Sequence, residues 1–311
     1  MKTRKNDRVS ATWLNGMVLA APHRIVTVSE RIYRNQIRAT ADEIARRSTP
    51  CSILLVSGPS GSSKTTTAGK LSAELAKHGI RSVVVSLDNF FVNRDQLPKL
   101  PNGDTDFESV KTLDMAALDR CFDELVGTGA SDFPIFDFTV GRRSSEVQRL
   151  EVDEETIVIL EGIHALCPEV VEGHDPSHFL KLYISPNSDY YQDDLLLLNA
   201  QDVRLIRRMV RDYFYRGNTV DSTLAMWVNV VASERQNILP YRDSADFQID
   251  SAILYEPNVY GSYLEQILAK SEISEKYQAE ISRLRKALEY FVPLGSPYIP
   301  EDTVLHEFLG V

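Results

Sequence analysis

Cysteine is scarce: Cys51, Cys121 and Cys167 are scattered through 311 positions. Three residues so spaced cannot build a disulfide framework, and a reducing, cytosolic compartment is the expectation. Long apolar runs are also missing. Nothing approaches the roughly 18 consecutive apolar residues that span a bilayer, which speaks against a membrane protein. The basic start MKTRKNDR and the mildly apolar ATWLNGMVLAAP make a poor secretion signal, because Asp7 interrupts the first and Asn15 and Gly16 the second. Positive charge is in deficit, with 34 Lys and Arg against 44 Asp and Glu, a net charge of −10. A general nucleic-acid or anionic-membrane binder needs the opposite balance, although a local basic pocket is still allowed. No internal repeat or low-complexity tract stands out.

What is there is ordinary in bulk: 43% hydrophobic and 25% charged residues suit a soluble globular chain with a sizeable core. The length allows two domains, or one large α/β domain with an extension. Residues 1–28 lack periodicity and read as a loose arm or an edge element. Residues 29–47 are helical in pattern, and Pro50 ends that stretch. SILLVSG (52–58), RSVVVSLD (81–88), TIVILEG (156–162), HFLKLYIS (178–185) and ADFQIDS (245–251) read as buried strands. Helical patterns cover 64–78, 113–126, 202–217, 220–238, 260–269 and 274–291. The segment 90–112 is a long loop of the kind that carries function, and FPIFDF (133–138) is a strand or extended loop. Strands alternating with helices predict an α/β fold, a three-layer αβα sandwich around a parallel five-stranded sheet. The C-terminal helices are expected either to pack on the sheet or to join two copies, so a homo-oligomer is left open.

The most informative segment is GPSGSSKTTT (58–67), set between a buried strand and a helix. That is the context in which G-x-x-x-x-G-K-[ST] means a phosphate-binding loop of a P-loop NTPase. Backbone N–H groups of Gly58, Pro59, Ser60, Gly61, Ser62 and Ser63 (proline excepted), with those of Thr65 and Thr66, would meet an anion at the helix N-terminus. Lys64 would reach the β- and γ-phosphates of ATP, and the Thr65 hydroxyl would ligate Mg²⁺. Ser63 stands where the second glycine belongs, at a cost of about 1 kcal/mol if that position needs a positive φ.

Two acidic strand ends and an arginine stripe extend the reading. Asp88 follows the second strand, where ligands of parallel sheets bind, and could accept a proton from an attacking hydroxyl or hold Mg²⁺-bound water; a turn aspartate is the plainer alternative. Glu161 ends the third strand where a Walker-B carboxylate would lie. Arg204, Arg207, Arg208 and Arg211 share one helix face, with Arg216 beyond, which in an acidic protein suggests an anion partner. A solvated face paired with Asp202 and Asp212 is the competing reading. His164, Cys167, His174 and His178 superficially resemble zinc spacing, but Pro168 and Pro176 break the loop.

SGPSGSSKTT, SLDNFF (86–91), DFES (106–109), FPIFDFTVGRR (133–143), ILEGIHAL (159–166) and DVRLIRRMVRDYFYRG (202–217) together resemble the uridine kinase/phosphoribulokinase family in order and spacing. The likeness is to the bacterial uridine kinase-like proteins, over about residues 48–311 and including the tail 289–310. It implies a kinase domain over 48–256 with a lid at about 199–217, an N-terminal arm and helix at 1–47, and a helical extension at 257–311. It also implies ATP and Mg²⁺ as cofactors, a small hydroxylated acceptor, Asp88 as base and Glu161 on Mg²⁺. Arg204, Arg208 and Arg211 become lid residues that neutralise phosphate, and Glu108 binds ribose hydroxyls, with Asp106 close enough to compete. Phe136 replaces a tyrosine that nucleoside-specific members use near the base, and Val140 and Gly141 stand where a histidine is expected. Arg142, Arg143 and His164 are left as substrate contacts or structural residues. The expected activity is phosphorylation of a nucleoside hydroxyl, uridine or cytidine first. A sugar, polyol or sugar-phosphate kinase is the alternative, as is a nucleotide-binding regulator that has lost its acceptor.

Overall fold

The computed structural model describes residues 6–48, 52–99, 103 and 105–310. Pro50 and Cys51 lie outside them. The chain opens with strand β1 (Asp7–Ser10) and helices α1 (Ala11–Ala20) and α2 (Pro22–Arg47), then β2 (Ile53–Ser57), α3 (Lys64–Ala76) and β3 (Arg81–Ser86). Helix α4 (Met115–Thr128), strands β4 (Ala130–Asp137) and β5 (Arg142–Glu151), β6 (Thr156–Glu161) and β7 (Phe179–Ser185) follow. Then come β8 (Ser188–Gln192), β9 (Leu195–Leu198), α5 (Ala200–Arg216), α6 (Val220–Ser233), β10 (Phe247–Asp250), α7 (Glu256–Leu268), α8 (Glu275–Leu288) and α9 (His306–Leu309).

The five expected strands form one parallel sheet in the order β10-β7-β2-β6-β3. Because side chains alternate along a strand, a sheet covered on both faces shows continuous apolar runs. Leu54 and Val56 of β2 enter one apolar cluster with α2, α3, α5, α7 and α8, while Ile53 and Leu55 enter another with α4 and β4. This is the three-layer αβα sandwich. Register aligns the functional ends: Glu161 of β6 sits opposite both Val56 of β2 and Ser86 of β3. Hence the loops that follow β2 and β3 open on either side of Glu161.

Two smaller sheets lie outside the expectation. β4 pairs antiparallel with β5, with a register shift between Pro134 and Phe136, and β1-β8-β9 form a three-stranded sheet. Residues 7–10 are therefore an edge strand, the second of the two readings for the N-terminal region, and residues 11–28 are helical. Helix α2 starts at Pro22, seven residues before the expected position, with proline in its first turn. Ile25, Val26, Thr27 and Val28 are β-branched and disfavour helix, but Ile25, Val26, Tyr33, Ile37 and Ile44 all bury one face in the core. That burial outweighs propensity. The C-terminal segment also packs on the molecule: Leu284, Val304, Leu305 and Leu309 belong to the same cluster as Leu54. Among the described residues no helix is long and apolar enough to cross a membrane.

Candidate active site

The turn between β2 and α3 depends on glycine at two positions where backbone approaches backbone closely. A Cβ on Gly58 would lie 2.0 Å from the carbonyl oxygen of Ile184, so no other residue fits without displacing backbone. Gly61 has φ +76°, and a Cβ there would meet the Arg204 carbonyl at 3.0 Å. Ser63 adopts the left-handed conformation too, with φ 67° and ψ 36°. The glycine-to-serine exchange thus does fall at a positive φ, which costs an L-residue about 1 kcal/mol. Compensation comes from Arg207, whose Nη1 donates to Ser63 Oγ at 3.3 Å and to the Gly61 carbonyl at 3.1 Å. The Ser63 carbonyl accepts from Thr67 Oγ1 at 2.6 Å. Ser62 Oγ is buried with no partner, an orphan that an anion oxygen in the loop would satisfy. Gly58→Ala should cost about 1–3 kcal/mol of stability, read by denaturant unfolding, because its methyl has no room.

The cleft above this turn has a volume of about 280 Å³. It is lined by Ser60, Gly61, Ser62, Ser63, Lys64 and Thr65 of this turn, by the carboxylates Asp88, Glu108 and Glu161, and by Arg208, Arg211 and Arg216. Burial pushes the Lys64 ammonium below its ordinary range, opposed by Glu161, Asp88 and Glu307. Burial likewise raises the carboxyls of Asp88, Glu161 and Glu108; Lys64 is the main opposing charge on the first two, and Arg208 on the third. Thr65 Oγ1 donates to Glu161 Oε1 at 3.2 Å. A hydroxyl beside one carboxylate, with a second nearby, suits Mg²⁺, which keeps waters and phosphate oxygens as its other ligands. Among the described residues no three His, Cys, Asp or Glu side chains form an all-protein metal cage.

The arginine stripe divides by depth. Arg208 Nη1 donates to Ser60 Oγ at 2.9 Å, and Arg208, Arg211 and Arg216 all pair with the fully buried Asp212, at 3.3, 2.7 and 3.5 Å. One aspartate thus gathers three guanidinium groups that line the cleft and leaves them a net positive charge. Arg204 and Arg207 do other work. Arg204 pairs with Glu234 at 2.6 Å, donates to the Ser60 carbonyl at 3.3 Å and lines a separate cavity of about 300 Å³. Arg207 is 0% exposed and bonds both oxygens of Glu256, at 2.7 and 3.0 Å, and the Ser251 carbonyl at 2.8 Å. The expectation that Arg204 lies on the phosphates is therefore corrected: its charge is already matched behind the loop. Asp202, expected as a partner along the stripe, caps α5 and binds Arg283 of α8 instead.

On the acceptor side Glu108 lines the cleft, and Asp106 turns back to accept its backbone N–H at 3.0 Å. The Glu108 carbonyl is held by Ser233 Oγ at 2.8 Å, at the end of α6, and by Asn237 Nδ2 at 3.3 Å, one turn further on. Phe91 and Phe107 supply aromatic surface to the cleft. Four candidate substrate residues do not line it. Phe136 is 8% exposed and packs edge-on against Phe91 and Phe138. Arg142 is exposed on β5, and Arg143 donates to Asp114 at 3.0 Å. His164 is 1% exposed, and burial lowers its pKa to about 4, so it is neutral near pH 7. Cys167 lies 3.7 Å from His164 Nδ1 with its thiol pushed up to about 12 by burial, whereas His174 faces Asp119 and Asp123. These groups do not converge as zinc ligands do. Gly58, Pro59 and Thr66 shape the loop without lining the cleft; Thr66 Oγ1 donates to Glu307 Oε2 at 2.5 Å. Phe91, sitting in SLDNFF, was legible as a site neighbour, but nothing in the sequence marks Glu307.

The chain is similar to known proteins over its sheet and phosphate loop. Residues 53–253, well over half of the chain, match the model of the Phosphoribulokinase / Uridine kinase family. A uridine kinase of Bacillus thuringiensis (strain Al Hakam) is 28% identical over 199 residues, covering 63% of this chain and 84% of that one; a Bacillus cereus (strain B4264) uridine kinase matches to the same extent. Among solved structures, phosphoribulokinase from Rhodobacter spheroides is similar at a TM-score of 0.44 and 19% identity, covering 63% of this chain and 68% of that chain. D-glycerate 3-kinase from Cryptococcus neoformans is similar at 0.41 and 15%, covering 72% and 91%. With a phosphate loop after β2, carboxylates at the ends of β3 and β6 and a matching family model across all of them, the chain is a phosphotransferase acting on a hydroxyl group and belongs to the phosphoribulokinase/uridine kinase family.

Proposed function

We propose that the protein is an ATP- and Mg²⁺-dependent kinase whose acceptor is the 5′-hydroxyl of a nucleoside, uridine or cytidine, with residues 48–256 as its catalytic unit. The observation that carries this reading is the register of β2, β6 and β3, which brings Lys64, Glu161 and Asp88 to one cleft that three arginines also line. Phosphoryl transfer asks for positioning and charge neutralisation rather than covalent chemistry. The Ser60–Ser63 backbone and the Ser62 hydroxyl would cradle phosphate, with Lys64 and Arg208, Arg211 and Arg216 neutralising it. Thr65 and Glu161 would hold Mg²⁺, which would supply positive charge to offset the charge developing on the transferred phosphoryl group. Asp88 takes the proton of the acceptor hydroxyl. Glu108 accepts from hydroxyls of the acceptor, and Phe91 and Phe107 offer faces to a planar base. Those rings favour a nucleoside. The burial of Phe136 and the withdrawal of Arg142 and His164 from the cleft favour the second reading, a sugar or sugar-phosphate acceptor, since base-reading polar groups are then few.

A coupled ADP-release assay across nucleosides, sugars and sugar phosphates tests the reading: uridine or cytidine should give the highest kcat/KM. A sugar phosphate in that place supports the second reading. No ADP release with any acceptor on the panel, alongside tight ATP binding, overturns both. In the same assay Lys64→Met should lower kcat by about 10²–10³, the cost of removing one preorganised charge from a phosphoryl-transfer site.

A further inference from the structure

Glu307 comes from the last turn of the chain, yet its carboxylate lines the cleft beside Lys64 and acts on its charge. It is held there firmly. Val304, Leu305, Phe308 and Leu309 are all 0% exposed, Phe308 lies 5.2 Å from the Arg207 guanidinium, and Tyr215 donates to the His306 carbonyl at 3.1 Å. Its carboxylate accepts from Thr66 Oγ1 on the first turn of α3, where aligned N–H groups favour an anion. Among the described residues no Lys, Arg or His forms a salt bridge to it within 4.0 Å. The hydroxyl next along from the Mg²⁺-ligand candidate Thr65 has thus committed its proton to a fixed carboxylate, and the seat expected to receive phosphate already carries a negative charge.

We propose that Glu307 tunes the affinity of the donor seat: a resident carboxylate beside Lys64 that weakens the binding of nucleotide polyphosphates. This rests on the reading of the cleft as a phosphate site. Like charges inside a partly dry cleft repel far more than in bulk water, and salt screens them only partly. The charge, rather than the hydrogen bond to Thr66, is the cause.

The test is calorimetric titration of the full-length wild type and Glu307→Gln with inorganic pyrophosphate and with ADP, at low and at high salt. Glutamine keeps an acceptor for Thr66 while removing the charge. Binding of both probes should tighten about tenfold, with a smaller gain at high salt. Glu307→Ala, which lacks that acceptor, should show the same direction of change. If the wild type binds pyrophosphate and neither variant binds it more tightly while melting as the wild type does, the proposal is overturned. Weaker binding by Glu307→Gln overturns it as well, and assigns Glu307 to holding the nucleotide. If the wild type binds neither probe, the phosphate reading fails and this inference with it.

Discussion

Asp88→Asn is expected to lower kcat by about 10³, within the range for loss of a general base, while ATP affinity does not fall, because the substitution only removes a negative charge beside Lys64. Asparagine keeps the size and the backbone contact to Ser86 Oγ but cannot accept the proton. The pH profile gives a second, sharper reading. Burial raises the Asp88 pKa, against the pull of Lys64, and only the ionised carboxylate can act as base. Activity therefore falls as pH drops through the raised pKa, and the acid limb of kcat/KM lies above the ordinary aspartate value of about 4. The Asn variant should lose that limb. Near-normal kcat in Asp88→Asn, measured with saturating ATP and acceptor, would remove the base assignment.

Arg207→Met should destabilise the protein by about 3–5 kcal/mol, the usual cost of leaving one member of a buried pair alone. Glu256 is fully buried; burial raises its pKa, and Arg207 is what holds it down. Without the guanidinium, Glu256 faces apolar surroundings, and the Gly61 carbonyl and Ser63 hydroxyl lose their donor. The Glu256 pKa then rises further, so the folded variant binds an extra proton and its deficit shrinks as pH falls. Replacing both partners, Arg207→Met with Glu256→Leu, should recover much of the loss. Urea unfolding reads all three proteins. A loss below about 1 kcal/mol in the single variant would mean that water reaches the pair.

The parallel sheet was legible because three of its five strands, β2, β3 and β6, are short apolar runs ending near a chemically distinctive residue: Gly58, Asp88 or Glu161. The phosphate loop was legible for the same reason, since its glycines and lysine have to stand at fixed spacing for backbone to approach an anion. What escaped had no periodic signal. β5 reads RRSSEVQRLE, with only Leu150 deeply buried, so no run of alternating apolar residues marks it as a strand. β9 is four leucines in a row, two of them exposed, so no alternation betrays a strand. The arginine helix was read correctly as a shared face, but spacing alone could not tell which guanidinium would meet Glu234 or Glu256, residues 30 and 49 positions away. Glu307 was invisible for the same reason: it reaches Thr66 across 241 residues, and only the packing of Phe308 and Leu309 puts it there.

The most direct test of the central claim is ³¹P NMR of the wild-type protein incubated with Mg²⁺, ATP and uridine, with Asp88→Asn in parallel. The account predicts a phosphomonoester signal of uridine 5′-monophosphate growing in step with ADP in the wild type, and neither signal growing appreciably in the variant. ADP accumulating with inorganic phosphate alone, or an equal yield of ester from Asp88→Asn, would contradict it.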